Sequence, residues 1–309
     1  MTETLTALHQ PVMLSEALDH LKVQSNNWYL DATFGRGGHT RAILKQGGKI
    51  LALDQDLEAV AFAQEHFAQE IERGQLEIIH SNFDTLNNHA SSLLSGQAET
   101  AAFSGILFDF GTSLDQIRAP HRGFSFDQPD APLDMRMNQE LGVTASDLLA
   151  VLSKKQLTDL FVEAGGESRG NASRIAQVID RYRRPDRSRR LETTGELVKI
   201  ISGVKQRRSH LHPATKVFQA LRIAVNSELE SIKQALPQAL EILAPEGRIV
   251  TIAFHQGEDA LVKHAFADWA RHAKGEVLTY KPLKPSEQEV INNPAARSAK
   301  LRAFKKANQ

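Results

Sequence analysis

The strongest constraint on what this chain can fold into is an alternation that runs through its first 110 residues. Short apolar runs end in acidic or small residues, and longer segments with helical spacing separate them. WYLDAT (28–33), KILALD (49–54), LEIIHS (76–81) and FSGILFDF (103–110) read as strands. Runs that are apolar without alternation predict strands covered on both faces, hence a parallel sheet. Strands that alternate with helices in this way predict a doubly wound α/β core.

The pattern changes after residue 115. Residues 118–138 are rich in Pro, Gly, Arg, Asp and Phe and predict a structured loop. From 144 to 202 the spacing is helical throughout, in TASDLLAVL, KKQLTDLFVEA, NASRIAQVIDRYRR and TTGELVKIIS. Thr144, and Thr193 or Thr194, are suited to cap helix N-termini. The sheet pattern then resumes. A helix over 227–243 leads through the turn APEG to a strand RIVTIAF (248–254), another helix (257–272), and a closing pair of strands in EVLTY and KLRAFK. The expectation is a discontinuous core, residues 1–118 and 212–309, with a helical substrate-recognition domain inserted at 119–211.

Composition removes several classes of function. With 309 residues and 41% hydrophobic content, the chain can bury one large core or two moderate ones. It has no cysteine, which excludes a disulfide framework, a Cys-based zinc cluster and a Cys nucleophile. Its 12 histidines fall into no recognisable ligand spacing, so no metal is expected. The polar start MTETLTALHQ lacks the features of a signal peptide, and no run reaches the length of a membrane span, which predicts a cytoplasmic protein without a membrane partner. A formal net charge of zero means that any nucleic-acid binding rests on a local patch.

DATFGRGGHT (31–40) carries the clearest chemistry. A strand ends at Asp31, and Gly35, Gly37 and Gly38 open a helix whose N–H groups suit an anion. No glycine stands at the third position of a dinucleotide fingerprint, so a nucleoside cofactor bearing a carboxylate fits better than a nicotinamide. The alternative is a tight strand-to-helix turn with no ligand. Asp54, about 20 residues on at the end of the second strand, is placed to accept from ribose hydroxyls; the alternative is an exposed acid beside Asp56 as a helix cap. Asp109 ends the fourth strand and is followed by Gly111, Thr112 and Ser113. There it faces a ligand or caps a turn. RYRRPDRSRR (181–190), with six arginines, and KQRR (205–208) suit phosphate contacts, or form a solvated face; Arg184 and Arg187 are candidates. His255 follows the fifth strand in AFHQGED and, with Glu258 and Asp259, is a candidate to line the substrate cleft.

HQPVML (9–14), DATFGRGGHT (31–40), RGFSFDQPDAPLDMRM (122–137), HPATKVFQALRIAVNSEL (212–229) and NPAARSAKLR (293–302) resemble the RsmH (MraW) family of bacterial 16S ribosomal RNA cytosine-N4 methyltransferases. The resemblance covers residues 9–304. It implies a Rossmann-like class I methyltransferase core with a helical insertion, S-adenosylmethionine as cofactor, and cytidine 1402 of 16S ribosomal RNA in the small subunit as target. Gly37, Gly38 and His39 match the family's cofactor loop, Asp54 its ribose acid and Phe83 the residue beside the adenine. Asp109 and Gln116 match two further cofactor contacts. A homodimer is compatible with the resemblance.

Cytosine's amino lone pair is delocalised into its ring, so an acceptor close to its N–H would localise that pair and take the proton. Asp109 is the candidate for this catalytic role. Phe124 and Phe126 are candidates to stack on a base taken out of its helix, or else belong to the insertion's core. The chain departs from the family where Thr112, Ser113, Leu114 and Asp115 replace a serine- and proline-containing stretch. FHQGEDA also changes Gln256, Gly257 and Ala260, and Ala295 replaces a usual arginine. These departures keep two alternatives open: a divergent methyltransferase on another substrate, and a non-catalytic RNA-binding assembly factor.

Overall fold

The computed structural model describes residues 10–94, 103–183, 186, 189–205 and 212–308, and of residues 91–94 the backbone alone. In chain order it contains α1 (Leu14–Leu21), β1 (Trp28–Asp31), α2 (Gly38–Lys45), β2 (Lys49–Asp54), α3 (Leu57–His66), α4 (Ala68–Glu72), β3 (Leu76–His80), α5 (Leu86–Leu94) and β4 (Phe103–Asp109). Then come α6 (Leu114–Arg118), α7 (Ala145–Val151), α8 (Lys154–Glu163), α9 (Arg169–Arg183), α10 (Thr194–Val204) and α11 (Thr215–Val225). The chain closes with α12 (Glu228–Ile242), β5 (Leu243–Ala253), α13 (Gln256–Arg271), β6 (Gly275–Val277), α14 (Glu287–Asn292) and β7 (Lys300–Lys306). Among the described residues no helix is long and apolar enough to cross a membrane.

The chain divides into two compact units, residues 1–111 with 229–309, and residues 112–228. The first holds a seven-stranded sheet ordered β3-β2-β1-β4-β5-β7-β6. The strands from β3 to β5 run parallel, and β7 pairs antiparallel with both β5 and β6. This is the Rossmann-like α/β fold that the alternation predicts. Successive strand residues enter different apolar clusters: Leu30, Leu51 and Phe108 one, Tyr29, Ile50 and Leu107 the other. Both faces are therefore covered, which is why the strands read as continuous apolar runs. From β1 the sheet grows one way to β2 and β3 and the other way to β4. The gap between the C-terminal ends of β1 and β4 is thus the topological switch point where such sheets bind ligands. β5 begins at Leu243, earlier than the turn APEG suggests. The turn is absorbed as an irregularity in the β4–β5 register, with Glu246 at a left-handed φ of 63°.

The second unit is helical. Thr144 and Thr193 cap α7 and α10, each in a reciprocal capping box with the third residue of its helix. The unit begins at Thr112 and ends at Glu228, where sequence reasoning places 119 and 211. Val217, Phe218 and Leu221 of α11 pack into the same core as Leu149, Phe161, Ile175 and Leu197. The amphipathic stretch after residue 212 therefore belongs with the helices, and no change in composition marks that boundary. Buried Arg122 donates from Nη2 to the carbonyls of Arg136 (3.1 Å) and Met137 (2.7 Å), and Asn226 brackets the same loop through the Met135 carbonyl and the Met137 amide. RGFSFDQPDAPLDMRM is thereby held as ordered structure that, after a 3-10 turn ending at Arg122, makes only an isolated bridge from Pro132 to Thr193.

Candidate functional site

In the sheet unit, the ends of β1, β2 and β4 bring three carboxyl groups to the switch point. Asp31 is buried, accepting from Thr40 Oγ1 (2.7 Å) and the Thr33 amide (3.2 Å). Loss of water outweighs these bonds and pushes its pKa up to about 6. Between β1 and α2 the chain turns on Gly35 (φ 56°) and Gly37 (φ 69°). A Cβ on Gly37 would lie 2.6 Å from the Phe67 ring and 2.7 Å from Phe34, so that position requires glycine twice over. A Cβ on Gly35 would meet nothing within 4 Å, so the backbone there borders open space that a ligand can approach.

Asp54 does more than present a carboxylate at the end of β2. Its Oδ2 accepts from the Gly35 amide (2.7 Å) and its Oδ1 from the Asp56 amide (2.9 Å), so it pins the glycine turn to the β2 end. Each oxygen keeps a second lone pair for a hydroxyl. Burial raises this pKa also to about 6, against the pull of the two amides and with the charges of Asp56 and Asp31 adding to the rise. Asp56 caps α3 through the Glu58 amide, so the capping role falls to Asp56 and not to Asp54.

Asp109 stands at the end of β4. Its amide donates to Thr33 Oγ1 (2.7 Å), tying β4 to the turn after β1. Its Oδ1 is buried and has no hydrogen-bond partner among the described residues, while the side chain as a whole keeps 22% exposure. Burial, then the charges of Asp31 and Glu258, push its pKa well above the ordinary carboxylate value. Buried His39 lies with Nδ1 3.8 Å from Asp109 Oδ2, and its Nε2 is 3.1 Å from the Val12 carbonyl. A carbonyl only accepts, so Nε2 carries the proton and Nδ1 is the nitrogen turned to Asp109. Phe83 is half-buried with its ring edge-on to Phe108 (5.8 Å) and tilted against Phe110 (5.9 Å).

His255 is the cap of α13: its Nδ1 accepts from the Gly257 and Glu258 amides. Glu258, fully buried, returns Oε2 to the Phe254 and His255 amides, and its Oε1 lies 3.1 Å from His255 Nε2. Sequence reasoning places Glu258 beside His255 as a cleft residue, but does not show that its charge reaches Asp109. Asp31, Thr33 and Thr40 were likewise visible in the motif but their mutual bonding was not.

The other candidates lie in the helical unit. Gln116 forms a capping box with Ser113 at α6. Phe126 stacks on His212 (4.3 Å) and meets Phe218 edge-on (5.6 Å), and Phe124 is partly buried against the same core. Of the arginine run, Arg183 donates to the carbonyls of Leu149, Ala150 and Leu152 at the end of α7. Arg189 covers the Tyr182 ring, and Arg190 pairs with Asp147. Arg184 and Arg187 lie outside the described residues, as do positions 206–208 of the second basic run.

A site for a nucleoside-bearing sulfonium can be tested against these residues. The open flank of Gly35, the Asp54 carboxylate with spare lone pairs, the aromatic edge of Phe83 and the buried Asp109 Oδ1 offer space, an acceptor suited to hydroxyls, a ring surface and an acidic oxygen. They fit.

Residues 6–307 match the model of a family described as the MraW methylase family. A protein of Thermomicrobium roseum named ribosomal RNA small subunit methyltransferase H is 41% identical, the match covering 98% of this chain and 95% of that one. A protein of Crocosphaera subtropica with the same name is 42% identical over 96% of this chain and 88% of its own. The crystal structure of an rRNA methylase from Streptococcus thermophilus aligns over 97% of this chain and 98% of its own, at 11% identity and a TM-score of 0.43.

Proposed function

Because this chain belongs to the MraW methylase family, we propose that it transfers a methyl group from S-adenosylmethionine to the N4 amino group of a cytidine in 16S ribosomal RNA, cytidine 1402 in the usual ribosomal numbering. The observation that carries the chemistry is Asp109: a carboxyl group at the switch point, beside the glycine turn, with one oxygen buried and unbonded. The names of the relatives support the small-subunit substrate.

When bound, the cofactor supplies an electrophilic methyl group on sulfur. Gly37, Gly38 and the start of α2 offer backbone N–H groups to its carboxylate, Asp54 accepts from its ribose, and Phe83 borders its adenine. In the transfer an N–C bond forms as the S–C bond breaks, and the amino group must lose a proton. Asp109 is the residue to receive it. Its raised pKa makes the ionised form a stronger base than an ordinary carboxylate. A positive charge bound beside it offsets the repulsion from Asp31 and Glu258 and favours that ionised form. His39 Nδ1 faces the same carboxyl and can share the proton.

Gln116, a further proposed cofactor contact, is held in the capping box of α6; on the substrate side, Phe124 and Phe126 as described serve the helical unit's own core, so contact with a target base requires exposed portions of those side chains. Arg184 and Arg187 are the proposed phosphate contacts, since Arg183, Arg189 and Arg190 already have internal partners. The test is methyl-labelled S-adenosylmethionine offered with unmodified small subunits and, separately, with their naked RNA. Label mapped by nuclease digestion and mass spectrometry to N4 of one cytidine supports the proposal. Cofactor binding with no label in either acceptor points to another substrate or to a binding factor.

A further inference from the structure

The glycine turn does not stand on the sheet alone. A Cβ on Gly38 would come within 2.9 Å of the Pro11 side chain, and His39 bonds the carbonyl of Val12. The start of α2 therefore lies directly against residues 11 and 12. That segment has no regular structure of its own, and Met13 closes it at a left-handed φ of 51°. Two side chains from nearly 280 positions further on hold it. Glu289 Oε1 accepts from the Met13 amide (2.6 Å), and buried Asn293 donates from Nδ2 to the Gln10 carbonyl (2.9 Å). Both belong to one local device: Ser286 caps α14 through the Glu289 amide, and the Asn293 amide closes the helix on the Glu289 carbonyl.

We propose that Glu289 and Asn293 are positioning residues for the cofactor site, acting through residues 10–13 on Gly38 and His39. This rests on the cofactor assignment above and extends it to a helix that no catalytic motif includes. Each link is geometric. With Glu289 gone, the Met13 amide loses its acceptor, the left-handed residue loses its anchor, and the Val12 carbonyl no longer fixes which nitrogen of His39 bears the proton. A shift of about 1 Å in such a support is enough to cost on the order of 100-fold at a reacting centre. Glu289 is half-buried and at the edge of the unit, so the sheet core does not depend on it.

The experiment compares wild type, E289A, E289Q and N293S by calorimetric titration with S-adenosylmethionine, and by hydrogen exchange of residues 34–41 without ligand. The expectation for E289A is cofactor affinity weaker by about tenfold or more and faster exchange in the glycine turn, with the melting temperature close to wild type. E289Q, whose amide oxygen still accepts from Met13, restores both. Wild-type affinity and exchange in E289A overturn the proposal. Should E289A fold poorly, N293S, which removes only the donor to Gln10, decides on the same two readouts. A wild type that binds no cofactor would instead refute the functional proposal, and the exchange data alone would still judge this one.

Discussion

The carboxyl groups at the sheet's switch point and those of the helical unit are held in opposite ways. At the sheet's switch point Asp31, Asp54 and Asp109 are all pushed above the ordinary carboxylate range, because burial exceeds what their hydrogen bonds return. In the helical unit Asp147 and Glu167 are held below it. Asp147 accepts from the Thr144 amide and hydroxyl and pairs with Arg190; Glu167, despite its burial, is held down by Lys205 and Asn171. Asp134 likewise takes a two-point grip from Arg136, Nε at 2.8 Å and Nη2 at 2.7 Å. These charges serve architecture, as does Asp259 in the sheet unit, which despite its partial burial is held down by Arg302 and Lys300. The switch point instead keeps carboxyl groups under tension, which is the arrangement expected where a cationic ligand and a proton are to be handled.

The largest break in this comparison is D109N. It removes the proton acceptor while keeping the shape, so methyl transfer should fall by about 10²–10⁴-fold with cofactor affinity largely kept; full turnover in D109N would remove Asp109 from the mechanism. Next is G37V. A branched side chain at φ 69°, driven into the Phe34 and Phe67 rings, should abolish measurable cofactor binding and lower stability by about 1–3 kcal/mol. R122M sharpens the contrast from the other side. It strands the carbonyls of Arg136 and Met137, and should destabilise the helical unit by about 1–3 kcal/mol without changing cofactor affinity. Urea unfolding beside a binding titration reads both effects. Cofactor affinity lost with R122M would mean that the two sets of charges are not independent.

Much of the sheet unit was legible because burial on two faces writes itself into sequence as unbroken apolar runs. The ends of those runs located Asp31, Asp54 and Asp109, and β2 spans the very residues, Lys49–Asp54, that its apolar run marked. What was not legible is what depends on partners far apart in the chain. The clamp from Glu289 to Met13 spans 276 positions, and the charge of Glu258 on Asp109 spans the helical insertion. The edge of the insertion was missed for a related reason, since α11 is amphipathic whichever unit it packs in. The arginine run shows the limit of composition: Arg183, Arg189 and Arg190 look like a phosphate patch in sequence, yet one caps a helix, one covers a tyrosine and one pairs with an aspartate.

The pH dependence of cofactor binding, measured alongside the melting temperature of the free protein, tests the claim of tensioned carboxyl groups most directly. Asp31 and Asp54 have pKa values near 6 in the folded protein, above their unfolded values near 4. Between those values the folded state binds more protons, so acidification from about pH 6 to about pH 4 should stabilise the free protein through these groups. The opposing loss from Asp147 and Glu167, whose pKa values are lowered, begins only around and below the ordinary carboxylate value. Protonating Asp54 removes an acceptor and a negative charge that the proposed cofactor contact needs. Affinity should therefore fall by about tenfold or more between about pH 7.5 and about pH 5 while the melting temperature holds or rises. Affinity that is flat over this range, or a melting temperature that falls with it, would contradict the account.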